Sequence, residues 1–232
     1  MKIIIFTFAG GNKYSFNSFF SKDLQTIVLE YAGRGARIAE PLLSNLDAVI
    51  ADLYPKLKKE IATKEPYIIY GHSMGSMVAY QICRKIEQQG LPLPAKLIIN
   101  GVKGPQYTKE KVLSNLPDAE FWEEITKLGG IPKEIGNEPE LIDFFAPILK
   151  ADYKCVEGYA YDETAEKINI PMDVFYGSEE DITEEEISGW NEVTTKKVTI
   201  KKLTGNHFFM FDHTEFFTTY FKNQTTRHVR HI

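Results

Sequence analysis

The sequence predicts an α/β fold, a mostly parallel sheet with helices on both faces. Three observations lead there. Short continuous apolar runs recur along the chain, and stretches with apolar residues at helical spacing lie between them. One run, Tyr67–Tyr70, passes through the small-residue turn Gly71-His72-Ser73-Met74-Gly75 directly into a helical stripe. Unbroken apolar runs, rather than alternating ones, are what a sheet covered on both faces requires, and strand–helix alternation makes that sheet parallel.

The expected strands are Lys2–Phe8, Thr26–Tyr31, Tyr67–Tyr70, Lys96–Asn100, Met172–Tyr176 and Lys197–Leu203. Leu46, Val49, Ile50, Leu53 and Leu57 share one helical face, with Pro41 near its start. Val78, Ile82 and Ile86 share another, on a helix that Gly90 ends. The alternation breaks between about Gly104 and Ile168. There Phe121, Trp122, Ile125 and Leu128 form one stripe, Gly129-Gly130-Ile131-Pro132 interrupts, and Leu141, Phe144, Phe145, Ile148 and Leu149 form a second. So much helix without a strand exceeds a plain crossover. A single domain over residues 1–232 is expected, with a helical lid inserted at about 105–168 over the carboxyl ends of the strands, where such sheets bind ligands. The polar, basic tail after Lys222 is expected to fray.

The 232-residue chain is 43% hydrophobic and 25% charged, enough apolar content to bury a core. A net charge of −5 without a basic stripe argues against nucleic-acid binding. Cys83 and Cys155 have no metal-ligand or C-x-x-C spacing; Cys83 reads as a small buried hydrophobe, and a reduced, cytoplasmic protein is the default. The apolar run Ile3–Ala9 after Met1-Lys2 is short for a signal peptide and fits a first buried strand better. No run approaches the ~20 residues of a membrane span, so a soluble chain with no membrane association is expected.

Ser73 stands where a strand turns sharply into a helix, the G-x-S-x-G setting of a nucleophile in an α/β-hydrolase fold. The bland alternative is a small residue that merely permits the turn. Acyl transfer by serine also needs a histidine base, a carboxylate to orient it, and two N–H groups for the oxyanion. Of five histidines, His72 adjoins Ser73 and cannot readily face its hydroxyl, His213 falls near the last helix, and His228 and His231 are in the tail. His207, in Gly205-Asn206-His207-Phe208-Phe209 after the last strand, is the expected base. For the acid, Glu179, Glu180 and Asp181 follow the strand ending at Tyr176; Asp181 is preferred and Glu180 second, while Glu179 and the run Glu184-Glu185-Glu186 read as solvated acids. Ala9, in the loop Phe8-Ala9-Gly10-Gly11, and Met74 are the expected oxyanion donors, and Ser76 is a weak rival nucleophile. No metal or cofactor is expected.

Along nearly its whole length the chain resembles the stand-alone, type II thioesterases of non-ribosomal peptide and polyketide synthases. Phe6-Thr7-Phe8-Ala9-Gly10-Gly11 is similar to the family's F-P-x-A-G-G. Tyr31-Ala32-Gly33-Arg34-Gly35-Ala36-Arg37 with Glu40-Pro41 is similar to its P-G-R-x-x-R and E-P segment, and Gly71-His72-Ser73-Met74-Gly75 matches its G-H-S-M-G. Leu116-Pro117-Asp118, Leu128–Pro132, Lys150-Ala151-Asp152-Tyr153, Trp190 with Thr194, and Gly205–Phe209 complete the pattern. Thr7 and Ala32 replace expected prolines, and Lys150 replaces an expected arginine, keeping charge but losing a planar fork.

The resemblance implies hydrolysis of acyl groups from the phosphopantetheine thiol of an acyl or peptidyl carrier protein domain, which would be the partner of a monomeric enzyme. Phe121, Trp122, Phe144 and Phe145 either shape the acyl pocket or form the core of the lid, and Phe8 and Phe208 are further candidates for substrate contact. Lys13, Arg34 and Arg37 are candidates for contacting an acidic carrier. The rival readings are a general acyl-CoA or ester hydrolase with the same machinery, and a non-catalytic carrier-binding protein.

Overall fold

The computed structural model describes residues 1–63, 65–107, 112–129 and 138–227, apart from the side chains of 225–227. Six parallel strands, β1 (Lys2–Phe6), β2 (Thr26–Val28), β3 (Tyr67–His72), β4 (Lys96–Asn100), β5 (Met172–Gly177) and β6 (Val198–Leu203), make one sheet in the order β2-β1-β3-β4-β5-β6. The chain leaves β1 in one direction to reach β2 and then returns past it to β3. The carboxyl ends of β1 and β3 therefore flank the switch point where such sheets bind ligands.

Alternate residues of each strand serve opposite faces. Ile4, Phe6, Tyr67, Ile69, Leu97, Ile99, Val174 and Tyr176 pack beneath α1 (Leu46–Ile61) and α2 (Met74–Gln88). Ile3, Ile5, Ile68, Tyr70, Ile98 and Phe175 pack on the other face with Phe16, Phe19 and Phe20, and with Phe217 and Phe221 of α6 (Thr214–Arg227). Burial on both sides explains why these strands read as unbroken apolar runs. The Asn45 side chain caps α1 by accepting the Ala48 N–H. The chain turns out of α2 with Gly90 in the left-handed region at φ +60°.

Between β4 and β5 lie α3 (Asp118–Thr126) and α4 (Pro139–Glu157), which form a small cluster of their own. Phe121, Trp122, Ile125, Ala146 and Tyr153 are its buried members; Phe145, Leu149 and Ala9 pack against them. Thus α4 rests on the loop after β1. The expected break at Gly130-Ile131-Pro132 lies outside the described residues. Lys150 Nζ donates to the Leu116 carbonyl at 2.7 Å and pairs with Asp118, holding the approach to α3. After β5 a short helix, α5 (Glu184–Ser188), begins with a capping box between Thr183 and Glu186. The indole N–H of buried Trp190 donates to the Val102 carbonyl at 3.0 Å.

Two expectations change. The tail does not fray at Lys222, because α6 continues to Arg227; His228 and His231 lie outside the described residues. Glu186 is not simply a solvated acid, since it completes the cap and pairs with Lys103 at 2.8 Å. Among the described residues, no helix is long and apolar enough to cross a membrane.

Candidate active site

Ser73 joins β3 to α2 with φ 55° and ψ −119°, the one non-glycine residue at positive φ among those described. Such a conformation costs on the order of 1–3 kcal/mol and persists only where its surroundings enforce it. Here the Ser73 N–H donates to the Asn100 carbonyl at 2.8 Å, fastening the elbow to the end of β4. Gly71 and Gly75 leave room for the turn: a Cβ on Gly71 would sit 2.3 Å from the Gly75 carbonyl oxygen, and one on Gly75 would sit 2.1 Å from that of Phe6. Ser76, the rival nucleophile, is fully buried. Its hydroxyl donates to the Asn100 carbonyl and accepts the Asn100 N–H, both at 3.0 Å, so it serves the scaffold.

His207 follows β6, and its Nδ1 lies 2.7 Å from Oε1 of Glu180. An ionised carboxylate only accepts hydrogen bonds, so Nδ1 carries the hydrogen and Nε2 is left as the basic nitrogen. The other Glu180 oxygen accepts the Gly177 N–H at 2.7 Å, and the Glu180 side chain is only 4% exposed. This corrects the preference for Asp181. The turn after β5 aims the third residue beyond Gly177 at the histidine, and Asp181, one residue further on, is exposed.

The base and the elbow meet through His72. The His72 and His207 rings are 5.0 Å apart, and Phe8 and Phe208 close around them, with ring separations of 5.8 Å for Phe8–His72, 5.1 Å for His207–Phe208 and 5.0 Å for Phe8–Phe208. Among the described residues, no hydrogen bond joins Ser73 to His207; in enzymes without substrate this contact is often loose. His72 is fully buried, and neither ring nitrogen has a protein partner. Burial, and then the neighbouring His207, hold its pKa well below the ordinary histidine value. A buried neutral imidazole one residue from the nucleophile is a supporting surface rather than a base.

The loop after β1 places Ala9 against α4. A cleft of about 250 Å³ opens beside it, lined by Gly10, Asn12, Arg34, Gly35, Ile38, Phe144, Phe145 and Ile148. A larger depression of about 630 Å³ includes Lys58, Lys59, Lys85 and Gln89. Lys85 and Gln89 stand at the far end of α2 from Ser73, roughly 20 Å away at 1.5 Å per residue, so that depression is separate from this chemistry.

A family model described as "Thioesterase domain" matches residues 1–223. The chain belongs to the thioesterase domain family. Similar proteins include the gramicidin S biosynthesis protein GrsT of Aneurinibacillus migulanus, 27% identical over 91% of this chain and 84% of that protein. The probable anguibactin biosynthesis thioesterase AngT of Vibrio anguillarum is 29% identical over 89% of this chain and 84% of its own. Among solved structures, ClbQ from the colibactin NRPS/PKS pathway superposes with a TM-score of 0.88 at 32% identity, covering 99% of this chain and 98% of that one. YbtT, a type II thioesterase from the yersiniabactin NRPS/PKS pathway, gives 0.83 at 28% identity over 95% and 91%. The neighbours share the α/β-hydrolase fold expected from the elbow.

In this thioesterase the six aromatic candidates separate. Phe121 and Trp122 are buried in the cluster formed by α3 and α4, whereas Phe144 and Phe145 line the cleft. Phe8 and Phe208 pack around the two histidines. The basic candidates also change role. Arg34 is 3% exposed and makes a two-pronged ion pair with Asp152 of α4, at 2.5 and 2.7 Å. Arg37 is held by Glu40 and Asp52; only Lys13 of the three keeps an ammonium without an ion pair among the described residues. The Asp152 contact was not anticipated, although a carboxylate among Ile148, Ala151 and Cys155 on a helix is itself a signal, because buried charges need partners.

Proposed function

We propose that this chain is a serine thioester hydrolase of the type II class, removing acyl groups from the phosphopantetheine thiol of carrier protein domains. The observation that carries the reading is the His207–Glu180 hydrogen bond beside the strained Ser73 elbow, in a chain of the thioesterase family. The relatives' gramicidin, anguibactin and colibactin pathways support a carrier-bound substrate. Ser73 Oγ attacks the thioester carbonyl as His207 Nε2 takes its proton, and Glu180 stabilises the imidazolium through Nδ1. Ala9 and Met74 N–H groups receive the oxyanion. The leaving thiol, with a pKa of roughly 8.5, departs with the proton that His207 Nε2 holds, which leaves His207 neutral again. Water activated by His207 then releases the acid from the acyl-enzyme. The acyl chain lies in the cleft beside Gly10, beneath α4 acting as a lid.

Carrier recognition rests less on basic residues than their number in this region suggests, since Arg34 and Arg37 are spent internally. The rim of the cleft is apolar instead, with Ile38 and Phe144 each at least half exposed. The test is turnover of acyl-carrier, acyl-CoA and p-nitrophenyl ester by the native chain and by Ser73→Ala. The reading expects preference for the carrier and loss of all turnover in the variant without unfolding. Equal turnover of carrier and CoA would replace the carrier-specific reading with a general hydrolase, and Ser73-independent turnover would end the mechanism.

A further inference from the structure

Asp152 is completely buried, and its carboxylate receives three N–H donors: Nη1 and Nη2 of Arg34, and the backbone N–H of Gly10 at 2.7 Å. The three donors and their acceptor come from segments far apart in sequence, the loop after β1, the loop after β2, and α4. Arg34 is enough to neutralise Asp152, so the Gly10 contact is an additional act of positioning. It fixes the plane of the Ala9–Gly10 peptide; the Ala9 N–H belongs to the preceding Phe8–Ala9 peptide, which joins that plane at the Ala9 Cα within the same Phe8–Gly11 turn. The loop is closed from other sides as well. Gly11 N–H donates to the Phe8 carbonyl at 2.9 Å, Thr7 Oγ1 donates to the Gly11 carbonyl at 3.2 Å, and Tyr31 Oη donates to the Thr7 carbonyl at 2.9 Å. Gly10 has φ +76°, the left-handed region that favours glycine, and a Cβ there would press on the Leu149 side chain of α4 at 2.7 Å. Among the described hydrogen bonds, the Ala9 N–H has no acceptor.

We propose that Asp152, held by Arg34, is a positioning residue for the oxyanion hole: by holding the Ala9–Gly10 peptide it keeps the Phe8–Gly11 turn in shape, so that the Ala9 N–H of the adjoining Phe8–Ala9 peptide stays available to the reacting carbonyl. This rests on the serine hydrolase reading above. The alternative is that the ion pair only ties α4 to the body of the protein. Burial alone pulls the Arg34 pKa down, but its hydrogen bonds and charge interaction with Asp152 outweigh that and raise it, so the guanidinium is a permanent partner.

The test uses two double variants that both remove the charges, since deleting one partner would strand the other. Arg34→Met/Asp152→Leu leaves Gly10 without an acceptor, while Arg34→Met/Asp152→Asn keeps an amide oxygen for it. With hexanoyl-N-acetylcysteamine as substrate, the leucine variant should lose about 10–100-fold in kcat with KM within about 3-fold, part of what an oxyanion donor supplies. Its affinity for hexylboronic acid, whose tetrahedral adduct on Ser73 presents an oxygen to the same N–H groups, should fall in parallel. The asparagine variant should recover most of the loss. A folded leucine variant with native kcat, or equal losses in both variants, overturns the proposal. If the leucine variant does not fold, the Gly10 amide of the ¹⁵N-labelled native chain decides: slow exchange and a downfield proton are expected, and fast exchange overturns the proposal. Absence of any Ser73-dependent turnover in the native chain would instead defeat the hydrolase reading, and the Gly10 amide would still report on the clamp.

Discussion

Nδ1 of His207 lies 2.7 Å from a Glu180 carboxylate oxygen, while Asp181 beside it is exposed. The two acids are adjacent in sequence, yet only one is buried against the base. Glu180→Gln should lower kcat by about 10²–10⁴, the range for a triad whose histidine loses its orienting carboxylate, with KM little changed. Asp181→Asn should stay within about 2-fold, as a surface residue touching nothing in the site. Steady-state kinetics on both variants check this, and the reverse ranking would reinstate Asp181.

His72 should make stability pH-dependent. Its folded-state pKa is depressed by burial and by His207, so it stays neutral in the fold, whereas an unfolded chain takes up the proton below about 6.5. Stability is therefore lost as pH falls from about 6.5 toward the folded value, by up to ~1.4 kcal/mol per pH unit. His72→Phe removes that slope. Urea denaturation of both proteins between pH 7 and 5.5 should show the native chain losing stability faster; parallel curves would contradict the neutral, buried assignment.

The elbow glycines should tolerate no side chain. A Cβ at Gly71 or Gly75 meets backbone oxygen at 2.3 or 2.1 Å, where nothing flexible can move aside. Each alanine variant should lose at least ~1–3 kcal/mol. Gly90→Ala is the control: its Cβ would meet nothing within 4 Å, and its φ of +60° alone should cost about 1–2 kcal/mol. Thermal melts give the ranking, and a Gly75→Ala protein as stable as the native chain would contradict the packing at the elbow.

Phe121 and Phe144 should separate stability from selectivity. Phe121 is fully buried against Tyr153, with rings 5.3 Å apart, and Phe121→Ala should cost about 3–5 kcal/mol. Phe144 is 50% exposed at the cleft, so Phe144→Ala should change stability by no more than about 0.5 kcal/mol. It should nonetheless alter relative kcat/KM across a series of acyl lengths. The cleft, about 250 Å³, is below the usual ~300–1,000 Å³ of ligand pockets, so the native chain should favour short acyl groups. A flat chain-length profile unchanged by Phe144→Ala would remove this cleft from substrate binding.

Much of this was legible in the chain itself. Unbroken runs such as Ile3-Ile4-Ile5 specify buried parallel strands, and the glycines around Ser73 specify the elbow, because local sterics and periodicity are written residue by residue. The position of His207 after the last strand followed from the same order of elements. Tertiary structure decided what depends on direction and on distant partners. The turn after β5 selects Glu180 over its neighbour by aiming one side chain inward. Arg34, an ordinary surface cation when read in sequence, is buried because Asp152, 118 residues away, meets it in the fold. The energy of a charge depends on what surrounds it in space, and neither composition nor spacing records that pairing.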